Sequence, residues 1–387
     1  MSEAEPSVEA RWIARAERAG AAGGPARPGE EKSRTDAIVA AMRAEGLVAA
    51  FVGPEYGGPG LSLATVARIT ERLARASGSA GLIYAMHMSQ ALCLSRHGRG
   101  AFFESFQRRM VAEQILIASG TSEKGPGGDI FTSIASFEAD GPGRLKGHKE
   151  SPNISYLDHA GAILLTANHH PQGGRARQAL ALLDMAAVQV APARPATLLG
   201  MKGILNQPAA LDFTLPEEAL FPDPFPTVAR RTMTPSIQIL WAALWSGIAW
   251  AVLEKARLFL HGEVKDSEAA VLARRDLADL ITRHFAMNAM IRDVLAEYEG
   301  EVAGKAGTSI GFGAAARINR LKIACSDWLV EICSGALRLM GLRAYAAEGP
   351  YALAEPLADA FSAPIMVSNT RLLLNTAAID PFADECL

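Results

Sequence analysis

The sequence predicts an α+β protein in three parts: a helical N-terminal domain, an antiparallel β domain and a C-terminal four-helix bundle. Apolar residues follow a helical period up to residue 114, and they do so again, over longer segments, after residue 231. Between these points the apolar runs are short or alternating, and turn-forming residues separate them. We therefore expect a flexible segment at 1–33, a helical domain at 34–114, a β domain at 115–230 and a bundle with a tail at 231–387.

The composition restricts the class of protein. The 387 residues are 49% hydrophobic, and their net charge of −3 gives no electrostatic footprint for nucleic acid or an anionic membrane. Four scattered cysteines without a CxxC pair are typical of reduced thiols in a cytoplasmic protein. The N-terminus is acidic and shows no signal peptide. We expect a cytoplasmic protein, in which the apolar stretch from Ile237 to Leu253 is a buried bundle helix.

The best candidate for a ligand site is the stretch at residues 117–129. It begins as an apolar strand and becomes a loop with three glycines and a proline between residues 124 and 128. Glycine lets the backbone approach a ligand closely, and successive N–H groups in such a turn attract anions or electron-rich ring atoms. A surface turn has the same composition, but the position between the helical and β domains favours a ligand site.

Six motifs along the chain resemble those of the acyl-CoA dehydrogenase superfamily. Residues 52–60 resemble its "PEEYGGxG" turn, residues 122–129 its "TEPGAGSD" flavin loop and residues 145–149 its "LNGxK" hairpin. Weaker matches lie at residues 158–160, 200–220 and 246–249. The resemblance implies the acyl-CoA dehydrogenase fold, with FAD held between the β domain and the bundle of a homodimer or homotetramer. FMN, or no flavin at all, stays open as an alternative.

The resemblance also assigns cofactor-binding residues to the loop and the hairpin. Main-chain N–H groups and hydroxyls there can hydrogen-bond the polar edge of a flavin ring. Ser151 stands where the family has an aromatic residue, and Asn153 stands where it has a threonine. The residues so assigned are Gly120, Thr121, Ser122, Gly127, Gly128, Ser151 and Asn153.

Several departures from the family fall on its chemistry. Val367 stands at the position of the usual catalytic glutamate, and the alternative position on the first bundle helix, near Ile237, also lacks an acid. The arginine for the FAD pyrophosphate is absent, with His261 or Lys265 as its only nearby substitutes. The family's "RDA" reads Ala358-Asp359-Ala360. Asp380 and Glu385 in the tail could supply a carboxylate, although tail acids are usually solvated.

His87 is the remaining catalytic candidate. It lies on an apolar helix where the family's substrate pocket is lined, and we expect it to contact substrate together with Ser89 and Gly128. A histidine and a serine near the flavin suit hydroxylases of this fold, although a histidine on an apolar helix is more often a core residue. His169-His170 lacks a third ligand, so we expect no metal site.

Three functions follow from these observations. The first is oxidation of an acyl thioester, bound to CoA or a carrier protein, at its α,β bond by a flavoenzyme whose base is unidentified. The second is a monooxygenase of the same fold that uses reduced flavin and oxygen and needs no such base. The third is a relative that has lost flavin and serves a non-redox role. Fold alone does not decide among them.

Overall fold

The computed structural model describes residues 7–25, 27–170, 177–191, 194, 196–263, 268–304 and 309–379. The N-terminal part is helical, as predicted. Residues 8–21, expected to be flexible, instead form the first helix, whose buried Ile13, Ala16 and Ala19 pack into the core. The helices are α1 (Val8–Ala21), α2 (Glu31–Ala44), α3 (Leu63–Ala76), α4 (Gly78–His97) and α5 (Ala101–Glu113).

The β domain is one seven-stranded sheet in the order β1-β4-β2-β3-β7-β6, with β5 on β4. The prediction of an antiparallel domain needs a correction, because β1 and β2 both pair with β4 in parallel. Since β5 pairs along the whole of β4, β1 and β2 must share its other edge. The strands are β1 (Ile117–Gly120), β2 (Ser136–Ala139), β3 (Arg144–Ile154), β4 (Ala162–His169), β5 (Arg177–Asp184), β6 (Val188–Val190) and β7 (Gln207–Pro216).

This arrangement explains the position of the glycine loop. The chain leaves the sheet after β1 and returns to the same edge at β2, so residues 121–135 form an excursion between two strands of equal direction. A tight hairpin cannot make such a connection, because it reverses the chain. The loop is therefore anchored at both ends by the same strand, β4.

The C-terminal region is helical, but its fourth element is broken. The last helix of the predicted four-helix bundle is divided into α11 (Ala354–Ser362) and α12 (Asn369–Ile379), separated around Pro364, whose nitrogen cannot donate a helical hydrogen bond. Val367, in the break, has a φ of 54°. The helices are α6 (Phe225–Val228), α7 (Thr234–Glu263), α8 (Glu268–Gly304), α9 (Phe312–Met340), α10 (Leu342–Tyr345), α11 (Ala354–Ser362) and α12 (Asn369–Ile379). The exact domain boundaries stay predictions.

Lys322 of α9 stabilises this break. Its buried ammonium donates to the carbonyl oxygens of Ala363 and Val367, at 3.0 and 2.8 Å, and to Oδ1 of Asn369 at 2.7 Å. These three acceptors satisfy all the hydrogens of the ammonium group. One buried charge therefore fixes the segment between α11 and α12.

The apolar helix α7 is buried, as predicted. The helical stretch Phe225–Glu263 is long and apolar enough to span a membrane, but 83% of its most apolar window is buried inside the fold. Gly247 lets α7 approach α3 closely, because a Cβ there would lie 2.3 Å from the carbonyl oxygen of Glu71. We read α7 as the core helix between the N-terminal domain and the bundle.

We predict that Gly247→Ala destabilises the protein by about 1–3 kcal/mol, because the added methyl group forces the two helix backbones apart. Chemical denaturation measures this change. Gly300→Ala on α8 is the matched control: nothing lies within 4 Å of its Cβ position. It should stabilise the helix by about 0.5–1 kcal/mol. Equal effects of the two substitutions would contradict the close approach of α3 and α7.

Candidate functional site

A buried ion pair holds the glycine loop against the sheet. Lys149 of β3 and Glu123 of the loop are 0% and 5% exposed, and Nζ lies 3.3 Å from Oε2. Lys149 also donates to the carbonyl oxygen and hydroxyl of Thr166 on β4. Glu123 Oε1 accepts the N–H groups of Ile134 and Ala135 at the other end of the loop. The carboxylate of Glu123 thus links the beginning of the glycine loop to its end.

Burial lowers the pKa of Lys149 to about 8, although the charge of Glu123 and its hydrogen bond raise it. Removing water from an ammonium disfavours the charged form, and a nearby carboxylate opposes that effect. Burial therefore disfavours the charge of Lys149 or of Glu123 when the other charge is absent.

The polar residues predicted for flavin binding converge beside this pair. The hydroxyl of Ser122 lies 2.7 Å from that of Ser151 and donates to the carbonyl oxygen of Asn153. The hydroxyl of Thr121 lies 3.1 Å from that of Ser119 on β1. The loop and the hairpin, which are distant in sequence, thus present their hydroxyls in one place. Their role in flavin binding stays a prediction.

Arg371 of α12 closes the loop on the bundle side. Its guanidinium donates to the carbonyl oxygens of Gly127 and Gly128, each at 2.7 Å. Both glycines have positive φ, at 64° and 81°, which a residue with a side chain rarely adopts. The two carbonyls are thereby fixed, and α12 is connected directly to the candidate cofactor loop.

Val367 is half-exposed and precedes Arg371 by four residues. The acids near it in the described chain have structural hydrogen bonds. Glu123 is in the buried pair, Asp129 accepts from Phe131 and Thr132 in its own turn, and Asp327 accepts from Asn369 at 2.9 Å. The bond from the Phe131 N–H lowers the pKa of Asp129. Asp380, Glu385 and Lys265 lie outside the described residues.

His87 and Ser89, predicted to contact substrate, lie in the core of the structure and hydrogen-bond other parts of the chain; their contact with substrate stays a prediction. Both side chains are fully buried. His87 Nε2 donates to the carbonyl oxygen of Val48, and Nδ1 accepts the N–H of Ile117, both at 2.9 Å. Burial lowers the pKa of His87 to about 4, so the ring is neutral. Ser89 donates to the carbonyl oxygen of Met233. The apolar helix pattern was a sign of the core, and His87 connects α4 to the start of β1.

A cluster of possible metal ligands, formed by Asp36, Asp158 and His159, is occupied by a lysine. The Lys32 ammonium hydrogen-bonds Asp36 and lies 3.0 Å from Asp158 and 3.3 Å from His159. These three side chains therefore already contact a cation, the ammonium group of Lys32. Three cysteines (Cys93, Cys325 and Cys333) are buried free thiols, and Cys386 lies outside the described part of the chain.

Sequence reasoning missed the roles of Glu123, Arg371 and Lys322. Lys149 was recognised only as part of a hairpin motif. A signal for it existed, since a lysine at an inward position of an alternating strand must find a buried partner. Arg371 had no such signal, because its contact spans more than 240 residues.

The residues present fit the polar edge of a flavin. The loop offers hydroxyls and a glycine backbone with little side-chain bulk, and Gly127 has nothing within 4 Å of its Cβ position. Phe131 and Ile134 of the loop and Ile365 of the break are exposed apolar residues. Such residues suit the apolar part of an aromatic ring system.

We predict that Lys149→Met lowers the free energy of unfolding by about 3 kcal/mol, because Glu123 is left buried without its cation. Lys124→Met is the matched control. Lys124 is 74% exposed, and its pair with Glu150 should contribute less than about 1 kcal/mol. Urea denaturation of both variants measures the difference.

The same variant tests the pKa of Lys149. A lysine whose folded pKa is about 8 loses its proton before the unfolded chain does. The wild type should therefore gain stability between pH 8 and about pH 10.4, the unperturbed lysine value. This gain should be absent from Lys149→Met, and its persistence there would contradict the assignment.

Comparison with known proteins agrees with the fold. Residues 15–114 match the family model of the acyl-CoA dehydrogenase N-terminal domain. No curated protein sequence matches the chain. FMN-bound TdsC from Paenibacillus sp. A11-2 is 18% identical with a TM-score of 0.80, and the alignment covers 95% of this chain and 96% of TdsC. A second structure describes TdsC as a dibenzothiophene monooxygenase.

Two dehydrogenases have similar structures. Butyryl-CoA dehydrogenase from Megasphaera elsdenii is 18% identical with a TM-score of 0.78, covering 98% of this chain and 99% of that one. Glutaryl-coenzyme A dehydrogenase is 16% identical with a TM-score of 0.78, covering 99% and 98%. The resemblance predicted from the motifs is therefore confirmed: residues 15–114 match the family model of the acyl-CoA dehydrogenase N-terminal domain, and the chain has the acyl-CoA dehydrogenase fold.

Proposed function

We propose that this protein is a flavin-dependent monooxygenase that uses reduced flavin and oxygen on a small-molecule substrate. The observation that carries the proposal is Val367, an apolar side chain at the position of the family's catalytic carboxylate. Oxidation of an acyl thioester requires a base within hydrogen-bond reach of the α-proton. Among the described residues near the loop, each carboxylate already accepts a structural hydrogen bond.

The chain's own residues would hold the cofactor and keep water out. A reduced flavin, when bound, supplies the electrons and the reaction with oxygen. The hydroxyls of Ser122 and Ser151 and the glycine backbone would orient its polar edge. Phe131, Ile134 and Val367 would surround the reacting edge with apolar side chains, which exclude water from it. This environment favours oxygen chemistry and offers no group for α-proton removal.

FMN is the flavin that we propose. In the family an arginine of the neighbouring subunit contacts the FAD pyrophosphate, and residues 260–263 of this chain supply no arginine. FAD would need that second anchor, whereas FMN lacks the adenylate half. The similarity to FMN-bound TdsC supports this choice.

Acyl-thioester dehydrogenation is the second candidate, and Asp327 favours it. This exposed carboxylate of α9 is hydrogen-bonded to Asn369, two residues after Val367. A rotation of the side chain away from Asn369 would free it as a base. Substitution of Asp327 therefore separates the two candidates.

We also propose that the protein is a cytoplasmic homodimer or homotetramer. Large apolar side chains are exposed on the last helices, among them Leu342 at 85%, Tyr345 at 75% and Ile365 at 75%. Covering such side chains by a second copy would remove apolar surface from water. The near-neutral net charge supports neither nucleic acid nor a membrane as a partner.

We predict that the purified protein binds FMN and that Ser151→Ala weakens this binding by about fivefold, because one hydrogen bond between uncharged groups is worth about 1 kcal/mol. Flavin fluorescence quenching measures the dissociation constant. Ser33→Ala on α2, whose hydroxyl only donates to the carbonyl oxygen of Glu30, is the control. A protein that binds neither FMN nor FAD would overturn the proposal in favour of the non-redox alternative.

The reaction is tested with the loaded protein. We predict oxygen consumption when reduced FMN is supplied and no bleaching of oxidised flavin by butyryl-CoA. Val367→Glu should gain slow bleaching by butyryl-CoA, because it restores a carboxylate, and Val367→Gln should not. Bleaching of the wild type that is lost in Asp327→Asn would establish the dehydrogenase instead.

A further inference from the structure

A second cavity lies away from the glycine loop. It has a volume of about 190 Å³ and is enclosed by the start of α2, by α7, by α11 and by the segments 199–202 and 347–349. No step of the proposed flavin reaction uses it. Its lining contains the buried carboxylate of Asp359 and the half-buried ammonium of Lys255, on different helices.

Asp359 of α11 is 2% exposed and has unused hydrogen-bonding capacity. One of its oxygens, Oδ1, accepts the N–H of Met201. The other oxygen, Oδ2, faces the first turn of α4, since a Cβ on Gly78 would lie 2.5 Å from it. Among the described residues, no cationic side chain forms an ion pair with Asp359.

The charges around Asp359 do not compensate its own. Burial raises the pKa of Asp359 to about 7, and Glu355 and Glu31 raise it further, while the Met201 N–H and Arg34 lower it. Arg34 is already engaged by Glu355, with both carboxylate oxygens within 2.9 Å of its Nη1. A positively charged ligand group in the cavity could therefore pair with Asp359, which has no ion-pair partner among the described residues.

Lys255 of α7 is the cation of the cavity lining that has unused hydrogen-bond donors. Its Nζ donates to the carbonyl oxygen of Ala352 at 2.7 Å, which uses one of three hydrogens. Burial lowers the pKa of Lys255, and Glu355 opposes this effect. The other cations of the lining have acids beside them: Lys202 lies 3.8 Å from Glu31, and Arg27 lies 3.8 Å from Glu30.

One short side chain leaves space beside the buried carboxylate. Ala358 stands in the position of the arginine in the family's "RDA" motif and lines the cavity next to Asp359. An alanine there leaves space that an arginine side chain would fill. Gly200 packs closely against α11, since a Cβ on it would lie 2.3 Å from the carbonyl oxygen of Ala358.

We propose that this cavity binds a small zwitterionic amino acid, whose ammonium group pairs with Asp359 and whose carboxylate pairs with Lys255. Each ligand charge would meet a group of opposite sign with spare hydrogen-bonding capacity, the buried Asp359 or the half-buried Lys255. A ligand with one charge satisfies only one of the two. The site is distinct from the flavin loop, so its test does not depend on the proposed reaction.

The affinity should depend on pH. An ammonium group binds the ionised form of Asp359, whose pKa is about 7. Lowering the pH through this value protonates Asp359 and weakens binding. Affinity for a zwitterion should therefore rise from pH 6 to pH 8.

The experiment is isothermal titration calorimetry of the full chain at constant ionic strength. The probes are glycine, 4-aminobutanoate and 6-aminohexanoate, with butylammonium, butanoate and AMP as comparisons. We expect at least one zwitterion to bind saturably and more tightly than the singly charged probes. Lys255→Met should weaken that binding about tenfold or more, the loss expected for a charge-assisted hydrogen bond. Lys146→Met, on an exposed part of β3, is the control and should leave binding unchanged.

Ala358→Arg gives a second, independent readout. The new guanidinium should fill the cavity beside Asp359, raise the melting temperature and abolish zwitterion binding. Ala358→Arg keeps Asp359 and its hydrogen bond from the Met201 N–H. It therefore tests the cavity without the risk that a substitution of Asp359 itself prevents folding. Unchanged zwitterion affinity in Lys255→Met, or tighter binding of AMP than of every zwitterion, would overturn the proposal.

Discussion

The buried pair of Glu123 and Lys149 is the interaction on which the candidate site depends. The loop between β1 and β2 is long, rich in glycine and anchored on one edge of one strand. Such a segment loses much backbone entropy when it is ordered. Glu123 opposes this loss by accepting two backbone N–H groups from the loop's far end while it pairs with the sheet through Lys149. The hydroxyls and glycines proposed to hold a flavin acquire one geometry because of this pair.

A second buried lysine shapes the opposite side of the site. Lys322 gathers the acceptors left open where the predicted fourth helix breaks. The break places Val367 and the start of α12 near the loop, and Arg371 completes the connection. Both sides of the site thus follow one physical rule: a buried ammonium is stable only when carbonyls, hydroxyls or a carboxylate surround it.

The fold of this chain also occurs in enzymes that catalyse different reactions. The framework of helices, sheet and bundle is retained across the full length of relatives that include both dehydrogenases and a monooxygenase. The motif alignment predicts that Val367, which cannot accept a proton, stands at the position of the family's catalytic glutamate. A proposed change of reaction therefore requires no change of architecture, only the replacement of a few groups at the flavin's reacting edge.

The sequence by itself determined the order of helices and strands, because apolar periodicity and turn residues are local signals. It also identified the glycine loop and predicted that Val367 replaces the family's base, because these are motif positions. The sequence did not predict hydrogen bonds between segments that are far apart in the chain. His87 has the sequence of a catalytic candidate, but the backbone of Val48 and Ile117 holds both its nitrogens.

Only the tertiary structure decided the remaining features. The parallel pairing of β1 and β2 with β4, the break of the last helix, the Glu123–Lys149 pair and the cavity between Lys255 and Asp359 all join residues that are far apart in sequence. Their cause is the burial of charged and polar groups, whose desolvation must be offset by whichever partner the fold brings near. That partner is set by the packing of the whole chain, so local sequence could not predict it.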